Sequence, residues 1–333
     1  MIDRRHFSLG LLVTLGVQAP SRAADARVQH EVQAALGTRV TVTVVHASPA
    51  PRREALDAAW RVLREREALM SRYVRGNPLQ ALAEQAGRPG WRAVPAPLLQ
   101  VLQAAQSVSA FTDGAFDATV GAYRDWQFGP DAPPHVVSEA RLRTQRPAVD
   151  WRALQLDLAQ GRARLARAGM ALDLGGIAKL PILQDAMAQI AAHGIADAMI
   201  DGGGDVLCRG QLIDRPWRVG VRDPLAPQRL LGVVSLNDGI VASSGDYERG
   251  FDQGGRRWHH VLDPATGWPT RGVRGVALLA DRVEDVNGLG SAIMVAGPVA
   301  ARRWLAQRPQ VQALIATPQG HAMTPGFAAR LHA

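Results

Sequence analysis

Three scarcities frame this 333-residue chain: it has one cysteine, one lysine and no apolar run long enough to cross a membrane. A solitary Cys208 excludes a disulfide framework and any cysteine-ligated metal centre. A membrane span needs about 18 consecutive apolar residues, and no stretch reaches that length. The net charge of +8 arises from arginines scattered singly among acids. No basic block with interleaved aromatics occurs, so the footprint of a nucleic-acid binder is missing. Internal repeats are absent as well.

The lysine is the more telling of the rarities. Lys and Arg together fill 38 positions, and Lys179 is the sole lysine among them. It closes the run Asp173-Leu174-Gly175-Gly176-Ile177-Ala178-Lys179. Arginine presents a wide planar fork, whereas lysine is a compact point charge on a thin stem, suited to a tight pocket or a single phosphate oxygen. Glycines beside it let backbone approach a ligand closely. Together these features point to an anion site.

Residues 1–24 read as a leader rather than as part of the fold. Asp3-Arg4-Arg5-His6-Phe7 precedes a short apolar run from Leu9 to Val17, and Ser21-Arg22-Ala23 supplies small residues for cleavage. The arginine pair suggests a twin-arginine signal peptide and a periplasmic destination. About 310 residues remain, enough for one large or two modest domains.

Hydrophobic periodicity gives the elements. Val40, Val42 and Val44 alternate with threonines as a strand. Arg52 to Met70 carries Leu56, Ala59, Trp60 and Leu63 at helical spacing, and Pro97 opens a second helix. Gln127 to Pro134 reads as a loop. Leu154 to Leu165 turns at Gln160-Gly161 as a hairpin. Ala178 to Ala192 is helical, and Ala198 to Ile200 is a buried strand. Strands dominate from Trp217 to Ala280, apart from a loop at Ser244 to Gly255. Helices over Asp285–Ala296 and Val299–Gln307 precede a strand at Val311–Ile315. Without a regular βαβ beat, the expected class is α+β, with mixed, largely antiparallel sheets flanked by helices.

Several polar clusters interrupt these elements. Asp201-Gly202-Gly203-Gly204-Asp205 is either a tight strand turn or bare backbone for a ligand. Ser243-Ser244-Gly245-Asp246-Tyr247 offers hydroxyls and amides that can hold phosphate oxygens. In His259-His260-Val261-Leu262-Asp263-Pro264-Ala265-Thr266-Gly267, turn chemistry alone accounts for Asp263, Pro264 and Gly267. It leaves the paired histidines unexplained. In a strand they must face opposite sides.

In order, these runs resemble the motifs of the ApbE family, the FAD:protein FMN transferases of the bacterial envelope. Met70-Ser71-Arg72-Tyr73 is similar to the family's Met-Ser-x-Tyr. Gly114-Ala115-Phe116-Asp117 with Thr119-Val120-Gly121 follows its second box, and Asp173 to Lys179 its third. Gly203-Gly204-Asp205, Ser244 to Arg249 and His260 to Gly267 complete six. The resemblance spans residues 28–325. It implies an enzyme that binds FAD and Mg²⁺, and moves FMN onto a Thr or Ser hydroxyl of an envelope electron-transfer partner, releasing AMP. Lys179, Asp246 and His260 become the implied catalytic residues. FAD would lie on Met70, Tyr73, Gly114, Ala115, Phe116, Asp117, Asp173, Gly176 and Lys179. Its remaining implied contacts are Gly203, Gly204, Asp205, Ser244, Gly245, His260, Asp263 and Thr266. The implied metal ligands are the Ala178 carbonyl, Asn287 and Ser291.

The chain departs from the pattern where ligand chemistry matters. Asn287 and Ser291 stand for the family's Asp and Thr, at a spacing that keeps them on one face of a helix. An amide in place of a carboxylate weakens a site for a hard divalent cation. Leu180-Pro181 replaces the family's Gly-Tyr, Gln184 a later Asp, and Pro78-Leu79-Gln80 its Glu-Leu-Ser. Three readings therefore stand: an active transferase, a flavin binder with weak transfer or only FAD hydrolysis, and a non-catalytic accessory protein.

Overall fold

A computed structural model describes residues 26–129 and 133–333. The leader of residues 1–24 lies outside the described residues, as does part of the Gln127–Pro134 loop. Strands β1 (Val28–Ala35) and β2 (Thr38–Val45) form a hairpin, followed by α1 (Pro49–Met70) and α2 (Pro78–Glu84). Then come β3 (Arg92–Ala93), α3 (Ala96–Phe111), α4 (Glu139–Gln145) and the hairpin of β4 (Leu154–Asp157) and β5 (Arg162–Leu165). Next are α5 (Lys179–Ala192), β6 (Asp197–Asp201), β7 (Val206–Arg209), β8 (Trp217–Arg222), β9 (Leu230–Leu236) and β10 (Gly239–Gly245). A small hairpin, β11 (Gly250–Gln253) and β12 (Arg256–His259), precedes β13 (Gly275–Ala280), α6 (Val283–Val286) and α7 (Leu289–Ala306). Strands β14 (Gln312–Thr317) and β15 (Gly320–Met323), helix α8 (Pro325–Arg330) and strand β16 (Leu331–His332) complete the chain.

The central sheet runs β1-β2-β6-β7-β10-β13-β14-β15, every neighbouring pair antiparallel. Strand alternation explains its two cores. Val276, Leu278 and Ala280 of β13 point into one core, and Ala277 and Leu279 into the other. The first core packs the sheet against α1, α3, α5 and α7 through Leu56, Leu63, Leu102, Leu183 and Ile293. The second packs its other face on the sheet β16-β9-β8, through Trp217, Val219, Val234 and Phe327. A strand covered on both faces must read as continuously apolar, as Gly275–Ala280 does. The α+β class with largely antiparallel sheets is therefore the observed one.

Three expectations change. The expected loop over Ser244–Gly255 contains the end of β10 and all of β11, which is polar and pairs only with β12. The expected helix over Asp285–Ala296 breaks: Asn287 is extended (φ −61, ψ 123) and Gly288 is left-handed (φ 75). The expected boundary between the two final helices is observed at Gly297-Pro298, where proline cannot donate to the helix ladder and Gly297 leaves the helical region. Finally, β15, α8 and β16 lie beyond the last expected strand, β16 pairing with β9.

Candidate active site

Lys179 is the first residue of α5, placed there by a loop that closes on itself. Ile177 and Ala178 both donate to the Leu174 carbonyl, at 3.0 and 2.8 Å. Asp173 Oδ1 accepts the Gly175 N–H at 2.8 Å. The loop is seated on the second motif: Asp173 N–H donates to Ala118 O at 2.7 Å. A Cβ on Gly121 would lie 2.5 Å from the Leu172 carbonyl carbon, so only glycine permits that approach. Lys179 Nζ sits 2.9 Å from Asp205 Oδ2, with the side chains 25% and 11% exposed. The other oxygen of Asp205 accepts Ser243 N–H at 2.9 Å. One carboxylate thus joins the lysine to β10.

The end of α7 closes the next side. A Cβ on Gly176 would fall 2.9 Å from Ser291 Oγ and 3.3 Å from the Phe116 ring, and one on Gly290 would fall 2.7 Å from Ser244 Oγ. Bare glycine backbone therefore lets the two loops and β10 meet around three hydroxyls. Those of Ser243, Ser244 and Ser291 make no hydrogen bond among the described residues, and neither does the side-chain amide of buried Asn287. These are unengaged polar groups gathered around Gly176 and Lys179.

His259 and His260 face opposite ways, as alternation requires. His259 is buried and its Nε2 lies 3.0 Å from Thr270 O. His260 is exposed, with its Nδ1 3.2 Å from Arg249 O. A carbonyl only accepts, so Nδ1 carries the proton and Nε2 keeps its lone pair. Withdrawal of water by surrounding protein, then the Arg249 charge, lowers the His260 pKa to about 4, against upward pulls from the Arg249 backbone hydrogen bond and from Asp173. Burial likewise lowers the pKa of His259.

Most other motif residues are engaged within the fold. Met70 is in the first core. Asp117, buried, accepts from Thr119 N and Oγ1 and from Trp151 N, at 2.7, 2.6 and 3.0 Å. Burial raises its pKa despite those bonds. Gly114 (φ 78) ends α3 through its N–H to Ser109 O, and Ala115 packs on the core. Asp263 accepts from Ala265 N and Thr266 Oγ1, both at 2.9 Å, so Asp263 and Thr266 close their own turn. Gly203 (φ 76) has no room for a side chain because Thr38 Oγ1 lies 2.2 Å from its Cβ position, while Gly204 is exposed. Gly245 is filled by the Tyr247 ring. Asp246 is buried against the Arg274 guanidinium, with Oδ1 lacking a hydrogen bond. That placement suits a brace better than a group meeting substrate. Tyr73 is 69% exposed beside Arg72.

The implied metal donors are all neutral. The Ala178 carbonyl already accepts Ile182 N–H at 3.1 Å, Asn287 lies outside any helix, and Ser291 is one turn into α7. The expected shared helical face is therefore replaced by a helix break followed by a helix start. Among the described residues no group of three His, Cys, Asp or Glu could hold a metal. Such a set does not fit a divalent cation held by protein alone. Arg72, which pairs with Asp173, escaped sequence reasoning because only proximity reveals its role.

The fold and site define an α+β protein in which a glycine-rich helix start, a lysine and unengaged serines converge. Residues 36–315 match the model of the ApbE family, and the chain belongs to that family. It is 32% identical over 334 residues to an FAD:protein FMN transferase of Treponema pallidum, covering 94% of this chain and 91% of that protein. An FAD:protein FMN transferase of Rhodobacter capsulatus is 35% identical over 71% of this chain, which spans only 46% of that longer relative. The ApbE protein of Thermotoga maritima has a TM-score of 0.83 at 28% identity, covering 92% of this chain and 100% of its own. The flavin transferase ApbE of Vibrio cholerae has a TM-score of 0.80 at 26% identity, covering 91% and 99%.

Proposed function

We propose that this protein is an FAD:protein FMN transferase, joining the FMN half of FAD to a Thr or Ser hydroxyl of a partner protein. The observation that carries this reading is the convergence of Lys179 with the unengaged serines; an exposed histidine with a free Nε2 supports it. In the reaction the acceptor oxygen attacks the FMN phosphorus. A new P–O bond forms, the pyrophosphate P–O bond breaks, and AMP leaves. His260 Nε2 takes the hydroxyl proton. Lys179, steadied by Asp205, offsets charge on the pyrophosphate, and the serine hydroxyls donate to its oxygens. Gly176 and Gly204 let the nucleotide approach backbone, and exposed Tyr73 offers an aromatic face to the flavin.

Mg²⁺ belongs to this reading only as an ion completed by nucleotide: FAD phosphates would supply the negative oxygens that Ala178, Asn287 and Ser291 lack. The leader motif supports a periplasmic site of action, and the acceptor is an envelope electron-transfer protein with an accessible Thr or Ser. The neutral donor set also favours a second reading, FAD hydrolysis to FMN and AMP with weak transfer. Incubation with FAD, Mg²⁺ and an acceptor domain, read by AMP release and by mass spectrometry of the acceptor, separates the two. AMP with an FMN adduct supports transfer, AMP without one supports hydrolysis, and neither product refutes both.

A further inference from the structure

His260 follows directly on a two-stranded hairpin whose strands, β11 and β12, pair with each other and join no other sheet. Arg249 stands immediately before β11, and its backbone carbonyl accepts twice from one residue. It takes the His260 backbone N–H at 3.2 Å and the ring Nδ1–H at 3.2 Å. Both contacts lie at the long end of the hydrogen-bond range, so a small shift of that carbonyl breaks them. The Arg249 guanidinium reaches away from the hairpin. Its Nη2 donates to Gly37 O at 2.8 Å, across 212 positions of sequence.

The surface that receives it is stiff. Leu36 and Gly37 are the two turn residues between β1 and β2, where Ala35 pairs with Thr38, and both are left-handed, with φ of 54 and 66. Two positive φ values in succession are the pattern of a tight hairpin turn whose twist matches its strands. Leucine avoids that region by itself, and here its packing against the first core holds it there. The next residue, Thr38, fills the space where a Gly203 side chain would stand. One turn therefore meets both the Gly203 loop and the arginine. A Cβ on Gly37 would collide with Arg249 Nη2.

We propose that Arg249 is a positioning residue: fastened to the β1–β2 turn, it holds the carbonyl that keeps the His260 ring in one orientation and one tautomer, leaving Nε2 open to the acceptor hydroxyl. The inference rests on the transferase reading for its meaning. A ring free to turn offers the hydroxyl an N–H as often as a lone pair, and a misplaced base is a slow one. Its structural half is measurable without activity.

The test joins ¹⁵N-histidine NMR without FAD, at about pH 8 where imidazole is neutral, to FAD titration and transfer kinetics. The His260 signals are assigned by His260→Gln. In the parent the two ring nitrogens should report a single tautomer, protonated at Nδ1. Arg249→Met, similar in length but without a donor, should give a mixture of tautomers with the FAD Kd within about twofold. Its kcat should fall roughly 10- to 100-fold, since displacing a catalytic group by about an ångström costs up to about 100-fold. Arg249→Lys can still donate to the Gly37 carbonyl and should recover most of both properties. Gly37→Ala keeps the arginine charge but displaces the guanidinium, and should reproduce the mixture. A single Nδ1–H tautomer retained in Arg249→Met would overturn the proposal, as would a mixture in the parent. A loss of FAD affinity in Arg249→Met as large as its loss of kcat would overturn it too, because the guanidinium would then be meeting the nucleotide itself. Should Gly37→Ala fail to fold, Arg249→Met against Arg249→Lys carries the same contrast. If the tautomers behave as expected and the parent forms no adduct, the transferase reading fails while the positioning of the ring stands.

Discussion

Replacing Lys179 separates the chemistry of its ammonium from its part in holding the fold. Its Nζ lies 2.9 Å from an Asp205 oxygen that is largely withdrawn from water. Removing the partner of a fully buried carboxylate costs about 3–5 kcal/mol. Lys179 is a quarter exposed and Asp205 retains the Ser243 amide, so solvent screening reduces this to about 1–2 kcal/mol for Lys179→Ala. Loss of a group aimed at developing charge costs more, about 2.7–4 kcal/mol, or roughly 100- to 1000-fold in kcat. The alanine variant should therefore remain folded, bind FAD, and transfer FMN at under about 1% of the parent rate. Lys179→Arg is the sharper test. A guanidinium can pair with Asp205 in a fork and recover the lost stability, yet it is too broad for the point contact that the helix start allows. We expect its melting temperature within a few degrees of the parent and its AMP release still reduced at least about 30-fold, a loss of roughly 2 kcal/mol in transition-state stabilisation. Thermal denaturation, FAD fluorescence titration and AMP release measured together decide the matter. An arginine variant within a few-fold of the parent rate would refute the requirement for a compact ammonium.

Three further outcomes follow from the site. Because the His260 pKa is lowered to about 4, the imidazole is neutral through the usual working range. Its acid limb in kcat/KM should appear near pH 4, and a limb near 6.5 would argue against His260 as the base. The unfolded chain takes up this proton first, so the contribution of His260 to stability is complete above about pH 6.5. It declines as pH falls from there toward 4, which acid denaturation of the parent against His260→Gln will show. Asp263→Ala should lower stability by about 1–2 kcal/mol through two lost turn hydrogen bonds while leaving FAD affinity within about twofold, and a large affinity loss would return Asp263 to the ligand contacts. Calorimetry should find Mg²⁺ weak toward the free protein and tighter with FAD present, and Asn287→Asp should strengthen it by adding a charged oxygen. If that substitution changes neither affinity nor AMP release, the segment at Asn287 is not where a metal sits.

Strand alternation and helical periodicity were legible because they follow from burial alone. Val40, Val42 and Val44 lie in one core, and the apolar stripe from Leu56 to Leu63 is indeed the buried face of α1. The hairpin at Gln160-Gly161 was equally plain from its turn residues. What failed was local and polar. Gly250–Gln253 is a strand without apolar alternation, stabilised by pairing with β12, and no pattern in its own residues announces that. The break at Asn287-Gly288 depends on one positive φ, which a run with helical spacing on both sides conceals.

Motif membership was a poorer guide to chemistry than to placement, for a physical reason. Asp117, Asp201 and Asp263 occur in motifs as prominent as those of Lys179 and His260, yet their oxygens are engaged by neighbouring amides and hydroxyls. An acid whose oxygens cap its own turn fixes the shape of the backbone around the ligand and has little capacity left for it. Lys179 and Asp205 are a mixed case, because their ion pair both ties α5 to β10 and leaves the ammonium a quarter exposed. The His260 Nε2, the hydroxyls of Ser243, Ser244 and Ser291, and the Asn287 side-chain amide have no partner among the described residues. A buried or half-buried polar group left unpaired is costly in a folded protein. The three serine hydroxyls and the Asn287 side-chain amide are such groups, and collected where Gly176 and Gly290 carry no Cβ they form a surface whose hydrogen bonds are completed by a polar, oxygen-rich molecule. That distinction exists only in three dimensions, since spacing along the chain is the same for an aspartate that closes a turn and one that faces a nucleotide.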